Sequence, residues 1–320
     1  MPKNTYAAID IGTNTFRLLI AEIHYNPANK GYSLKEICSE RIITRLGEGI
    51  TVTGRISDVS MQKGLNALKT FSHIISENNI TKTSTVATSV LREAQNSEDF
   101  ISKARNMSGL DIRTISGEEE ARLTASGMMI DMDLPEEAIL IDIGGGSTEL
   151  VYSRNGVPVH LQSLDMGVVY LATKYMNDDP PLAKMIHEME REIADIIFSD
   201  TASFDQRSDN GACLIGTAGT ITTLAAVSLK LTSFEHDKIH MARISAETIR
   251  DIFSRIAFIS SAERSQYIPF EPERLDIIVP GTLILLKLME RFQSDEIIVS
   301  NYGLREGIIL DLFKNKGNKI

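Results

Sequence analysis

Three consecutive carboxylates, Glu118-Glu119-Glu120, follow Ser116-Gly117 and open a helical stretch that continues through Ala121-Arg122-Leu123. Acids in a first helical turn complement the helix dipole, and Ser116 with Glu119 fits a reciprocal capping box. That accounts for one or two of the three. Successive helical residues point about 100° apart, so all three cannot serve one surface. Glu120 is the surplus acid, and a carboxylate there can orient or deprotonate a water. Two turns carry the rest of the candidate chemistry. Ile9-Asp10-Ile11-Gly12-Thr13-Asn14-Thr15 and Ile141-Asp142-Ile143-Gly144-Gly145-Gly146-Ser147-Thr148 each pass from a strand-end Asp into Gly and small polar residues. Such a turn can aim several backbone N–H groups at one anion. Thr13, Asn14 and Thr15 are the candidate phosphate contacts of the first, and Gly144, Gly145, Gly146, Ser147 and Thr148 those of the second. Neither turn matches GxxxxGK[ST] or GxGxxG, which excludes Walker and Rossmann sites.

The charges around the two turns differ in a useful way. Arg17 occupies the position that Glu149 holds in the second stretch, 132 residues later. Asp142 and Glu149 flank the Gly-rich turn, and hard carboxylate oxygens near a phosphate suit Mg²⁺, which uses one or two protein carboxylates and keeps several waters. Arg17 offers instead a planar donor fork for phosphate. His236 and His240 have i,i+4 spacing but no third ligand nearby, so they read as structural or substrate-adjacent. Cys38 and Cys213 stand apart without CxxC spacing and read as small buried apolar groups.

The elements that must position these residues follow from a repeat. Apolar, Asp, Gly, hydroxyl and apolar positions of the two turn segments stay in register. A second pair, Thr85 to Val90 and Leu214 to Gly219, matches with Thr88 and Thr217 129 residues apart. Each copy begins with an apolar strand, a turn and another apolar strand, which is hairpin chemistry. Alternation through Tyr32, Leu34 and Ile37 predicts a further strand. Leu65, Leu68 and Ile75 share a helical face. Leu182, Met185, Ile186, Met189, Ile193, Ile196 and Ile197 form one helical stripe, in which methionines fill core gaps. The expected fold is α/β: a duplicated domain, 1–130 and 131–305, with a hinge at Asp131 to Glu137 and a last helix, about 306–320, returning to the first half. The length of 320 residues agrees with two domains. With 42% hydrophobic and 24% charged residues the composition is that of a globular protein. A net charge of −10 argues against nonspecific binding to nucleic acid or anionic membrane. With neither a leader-like start nor a spanning apolar run, the expected location is the cytoplasm.

Taken together, AIDIGTNTFRLLIA, TVATSVLREAQN, SGEEEARL, LIDIGGGSTELV, GTAGTITTLAA and IIVSNYGLREGII resemble the exopolyphosphatase / guanosine pentaphosphate phosphohydrolase family of the actin/Hsp70/sugar-kinase superfamily. These stretches run the length of the chain in the family's order. The resemblance implies two RNase H-like domains with an interdomain phosphate channel. It implies release of terminal phosphate from inorganic polyphosphate, and of the 5′-γ-phosphate of pppGpp. It aligns the family's catalytic glutamate with Glu120 and its phosphate-clamping arginine with Arg92. Its metal and phosphate residues fall on Asp142, Gly144, Gly145, Gly146, Ser147 and Glu149. Arg17, and more loosely Arg274, match arginines linked to phosphate or nucleotide. Gly216, Thr217 and Gly219 belong to GTAGT, which resembles the superfamily's adenosine-side loop, and are expected to contact phosphate. Mg²⁺ or another divalent cation is the expected cofactor, pppGpp or ppGpp and polyphosphate the expected ligands, and a homodimer a further expected assembly. The chain stops near Ile320, where long members continue into helical domains. Two alternatives stay open: an ATP-dependent phosphotransferase or ATPase of the same superfamily, and a noncatalytic ppGpp-binding module.

Overall fold

The computed structural model describes residues 4–27, 31–132, 135–204 and 212–315. Its chain forms two compact units, Met1–Asp133 with Tyr302–Ile320, and Leu134–Asn301. In the first, β1 (Thr5–Ile11) is buried from Tyr6 onward, as a central strand covered on both faces must be. It pairs antiparallel with β2 (Thr15–Asn26), which pairs with β3 (Gly31–Ile43). A short α1 (Ile50–Thr53) and the long α2 (Asp58–Glu77) lead to β4 (Thr83–Ala87), parallel to β1. Then come α3 (Ser89–Glu93), α4 (Ser97–Ser108), β5 (Ile112–Thr114) and α5 (Gly117–Met128). The sheet order is β3-β2-β1-β4-β5.

Two separate cores cover this sheet. On one side Ile9, Ile11, Phe16 and Leu18 meet Leu65, Leu68, Phe71 and Ile75 of α2. The Ser57 side chain caps α2 by accepting from the Ser60 N–H, and apolar residues at helical spacing give it one buried face. On the other side Tyr6, Ala8, Leu19 and Ala21 meet Leu123 of α5 and Leu304, Ile308 and Ile309 of α13 (Leu304–Lys314). The last described helix thus packs within the first unit.

The second unit repeats the plan with β6 (Glu137–Ile143), β7 (Thr148–Arg154) and β8 (Val157–Leu164), followed by α6 (Val168–Tyr175) and α7 (Ala183–Asp200). Next are β9 (Cys213–Thr217), α8 (Ala218–Ser228), α9 (His236–Ile239), β10 (Arg243–Ser245) and α10 (Ala246–Ile256). It closes with α11 (Ser261–Arg264), α12 (Ile278–Arg291) and β11 (Glu296–Val299). Its sheet runs β8-β7-β6-β9-β11-β10, the first unit's order with one added edge strand. β6 pairs antiparallel with β7 and parallel with β9, as β1 does with β2 and β4. Thr88 and Thr217 are both N-cap residues of the helix that follows the parallel strand. The fold is therefore α/β with duplicated RNase H-like units.

Some local expectations change. Leu182 is not part of the α7 stripe: it is the N-cap residue and 55% exposed, while Ile186, Met189, Ile193 and Ile197 carry the buried face. Ile37 is exposed on β3, an edge strand with one partner. Cys38 and Cys213 are free and half-buried, and burial is the first cause that pushes both thiols up. Asp133 and Leu134 of the expected hinge, and residues 316–320 of the expected last helix, lie outside the described residues. Among the described residues no helix is long and apolar enough to cross a membrane.

Candidate functional site

The two turns are built alike. In the first, the Gly12 N–H donates to the Thr15 carbonyl at 3.2 Å; in the second, the Gly144 N–H donates to the Ser147 carbonyl at 2.9 Å. Their carbonyls point into supporting segments: Asn14 O accepts from Thr44 and Arg45 N–H, and Gly144 and Gly145 O accept from Val168 and Val169 N–H. With the carbonyls held on the protein side, the amides of Thr13, Asn14, Gly145 and Gly146 take no partner among the described residues. Free N–H groups on a turn are what an anion requires. The Thr13 hydroxyl is 3.0 Å from that of Ser89, which ties the first turn to α3. Thr148 departs from expectation. It is fully buried and its hydroxyl donates to the Met166 carbonyl at 2.6 Å, so its side chain braces the turn and does not face a ligand.

The strands below the turns put the flanking charges opposite one another. Asp10 pairs across the hairpin with Arg17, and Asp142 with Glu149. Cross-strand partners project from the same face. In the first copy Arg17 Nη1 lies 4.0 Å from Asp10 Oδ2. Burial raises the Asp10 carboxyl above its ordinary value, against the opposing pull of Arg17 and Arg305. In the second copy two carboxylates share the face. Glu149 is buried, with Oε1 accepting from Ser163 Oγ at 2.8 Å, and Asp142 is half-buried. Like charges directly opposite repel. A small hard cation on the two carboxylates would offset that repulsion, and the donor set suits Mg²⁺, which completes its shell with water. The residues present fit such an ion.

Among the three glutamates the structure separates roles clearly. Glu118 is exposed. Glu119 accepts from Arg113 Nη1 at 2.6 Å, so the capping box is only half made: Ser116 Oγ caps the Glu119 N–H, but the Glu119 carboxylate is engaged elsewhere. Glu120 alone is buried, and its Oε2 accepts from Arg92 Nη1 at 3.0 Å, while the same nitrogen donates to the Ile115 carbonyl at 2.9 Å. Arg92 and Glu120, 28 residues apart in sequence, are brought into one ion pair.

The Gly216–Thr220 segment ends β9 and starts α8. Gly216 is packed tightly: a Cβ there would lie 2.5 Å from Ile221 Cδ1 and 2.6 Å from Ile297 Cδ1. Gly219 has a different reason. A Cβ on it would fall 1.9 Å from Arg274 Nη2, because the guanidinium lies directly on the first turn of α8. Arg274 is itself buried, with Nε 3.1 Å from Glu271 Oε2. Glu271 is buried and also accepts from the Thr223 hydroxyl. Ala218, at the helix start, is held at φ 70°, a left-handed conformation costly for a residue with a Cβ. His236 and His240 fall at the two ends of α9. His240 Nδ1 accepts from the Asn301 N–H at 3.2 Å, which gives it a backbone-holding task.

Sequence reasoning gave no site role to Asp10, Ser89, Glu271 and Thr223. Asp10 was available from the repeat, since it aligns with Asp142. Glu271 and Thr223 meet only through tertiary contact, 48 residues apart.

A duplicated RNase H-like protein with two equivalent glycine-containing turns, one cross-strand acid pair and one arginine-bound buried glutamate is the class this geometry defines. The profile of the Ppx/GppA phosphatase family matches residues 26–316, and the chain belongs to that family. A bifunctional 3-dehydroquinate synthase/phosphatase of Fusobacterium nucleatum subsp. nucleatum is 31% identical over 98% of this chain, which spans 48% of that relative's length. Exopolyphosphatase 2 of Mycobacterium tuberculosis is 28% identical, with 98% of this chain and 99% of that protein covered. The crystal structure of an exopolyphosphatase-like protein aligns at TM-score 0.88 with 28% identity, covering 98% of this chain and 99% of that one. The Aquifex aeolicus Ppx/GppA family member aligns at TM-score 0.79 with 29% identity, covering 97% and 98%.

Proposed function

We propose that this chain hydrolyses the terminal phosphoanhydride of inorganic polyphosphate, with the 5′-γ-phosphate of pppGpp as a second substrate. The observation that carries the reading is Glu120, the one buried member of its acidic triplet, with its carboxylate bound by Arg92. Water attacks the terminal phosphorus in line with the bridging oxygen. Glu120 orients that water and takes its proton. The bond to the bridging oxygen breaks and the shortened chain leaves. Arg92 holds the Glu120 carboxylate at a fixed angle and brings positive charge to the phosphoryl oxygens. The amides of Thr13 and Asn14 in the first unit, and of Gly145 and Gly146 in the second, are each unit's donors to phosphate oxygens and need no reorganisation to act. Arg17 and Arg274, each within its own unit, are proposed as further donors to phosphate. Asp142 and Glu149 would hold Mg²⁺, which when bound supplies charge neutralisation of the phosphoryl oxygens.

The testing experiment is a phosphate-release assay on short polyphosphate, long polyphosphate, pppGpp and ATP, with and without Mg²⁺. Release from polyphosphate and little from ATP supports the reading. Release from ATP alone would replace it with an ATPase. Tight ppGpp binding without release from any of the four would replace it with a noncatalytic sensor.

A further inference from the structure

The sequence GLREGII, Gly303 to Ile309, has no part in the chemistry above, yet α13 makes an unusually close helix contact. A Cβ on Gly307 would lie 1.8 Å from the Leu123 carbonyl oxygen and 3.3 Å from the Gly127 N. A Cβ on Gly127 would lie 1.9 Å from the Gly303 carbonyl oxygen and 2.7 Å from the Gly307 N. The backbone of α13 therefore rides on the backbone of α5 between residues 123 and 127, a separation that only paired glycines allow. Leu123 is three residues beyond Glu120, about 4.5 Å along the helix axis.

The near end of α13 is itself anchored. Arg305 Nη1 donates to the Leu18 carbonyl at 3.2 Å and to Ser39 Oγ at 2.9 Å, which fixes it to β2 and β3. The buried Glu306 carboxylate accepts from the Gly303 N–H at 2.8 Å and closes the first turn. Apolar packing of Leu123 with Leu304, Ile308 and Ile309 completes the seat. On the other side of the carboxylate, Arg92 reaches Glu120 only while α5 stays where the 3.0 Å contact is made.

We propose that the α5–α13 backbone contact is the positioning device for Glu120, with Gly307, Gly127 and Leu123 as positioning residues; the proposal rests on the reading of Glu120 as the water-activating acid. Arg92 sets the carboxylate sideways and α13 sets its depth. A misplacement of about 1 Å can cost on the order of a hundredfold in rate without weakening substrate binding.

The test uses the full chain and short polyphosphate. Gly307→Ala forces the helices apart, and Leu123→Ala lets α5 settle into a cavity without a clash. Leu68→Ala, in the core on the opposite side of the sheet, removes comparable packing without touching α5. Each variant is assayed at the same interval below its own melting temperature. Gly307→Ala and Leu123→Ala are expected to lose about tenfold or more in kcat with KM within about threefold, while Leu68→Ala keeps wild-type kcat. Wild-type kcat in Leu123→Ala, or an equal loss in Leu68→Ala, overturns the proposal. Leu123→Ala decides alone if Gly307→Ala does not fold. Glu120→Gln separates the two levels. If it is active, the reading of Glu120 fails and the proposal with it; if it is inactive while the helix variants keep wild-type kcat, only the helix proposal fails.

Discussion

Adjacent residues in one helical turn have unequal work here. Glu119 makes an exposed pair with Arg113, and the cap it shares with Ser116 uses its backbone N–H only. Its replacement by Gln should therefore lower stability by only a few tenths of a kcal/mol and leave turnover near wild type. Glu120→Gln keeps shape and removes the base, so turnover should fall roughly 10²–10⁴-fold. Phosphate release and melting curves of both variants measured together check the assignment, and a dead Glu119→Gln beside an active Glu120→Gln would reverse it. The acid pair offers a second test. Asp142→Asn should reduce turnover and shift the Mg²⁺ titration to higher concentration in a folded protein. An unaltered titration with full activity would remove Asp142 from the metal assignment.

At the scale of elements, α6 and α7 are joined by a cluster away from the candidate site. Glu192 on α7 accepts from Tyr170, Lys174 and Tyr175 on α6. Burial alone would raise the Glu192 carboxyl, but donation from Lys174, Tyr175 and Tyr170 outweighs it and holds the group below its ordinary value of 4.5. A depressed acid contributes stability that is present above the unfolded value and lost as pH falls through the folded one. The melting temperature of wild type should therefore drop more steeply than that of Glu192→Gln between roughly pH 5 and pH 3. Parallel slopes would mean that the cluster is electrostatically neutral to the fold.

For the whole molecule, the decisive feature is that the chain's last described helix belongs to the unit in which the chain begins. Leu304, Ile308, Ile309 and Leu310 are buried there with Tyr6, Leu19, Ile23 and Leu123. Four such side chains at about 1.5–3 kcal/mol each amount to about 6–12 kcal/mol, as much as the usual net stability of a domain. A chain ended at Asn301 should lose cooperative melting of the first unit and bind a hydrophobic dye. Native-like amide protection in β1 and β2 of that truncated chain would refute the estimate.

How far sequence reading reaches can be judged from particular residues. The duplicated α/β plan was legible because Asp10 and Asp142, and Thr88 and Thr217, recur at nearly one interval, and local backbone chemistry makes the same turn wherever the same small residues recur. The separate surroundings of Glu120 were legible because a helix's 100° step keeps three adjacent acids from sharing one surface, although the capping task read for the Glu119 carboxylate was not found. Other features depended on contacts between distant segments. Thr148 looks like a ligand-facing hydroxyl in sequence, but its neighbour Met166 claims it. The seat of Arg274 on Gly219 needs α8 and the Pro272–Arg274 turn side by side. Gly307 and Gly127 are ordinary helix-weakening glycines until two helices touch. Periodicity and turn chemistry act over a few residues and can be read along the chain, whereas hydrogen-bond partners and backbone approach are chosen by which segments the packed core leaves adjacent.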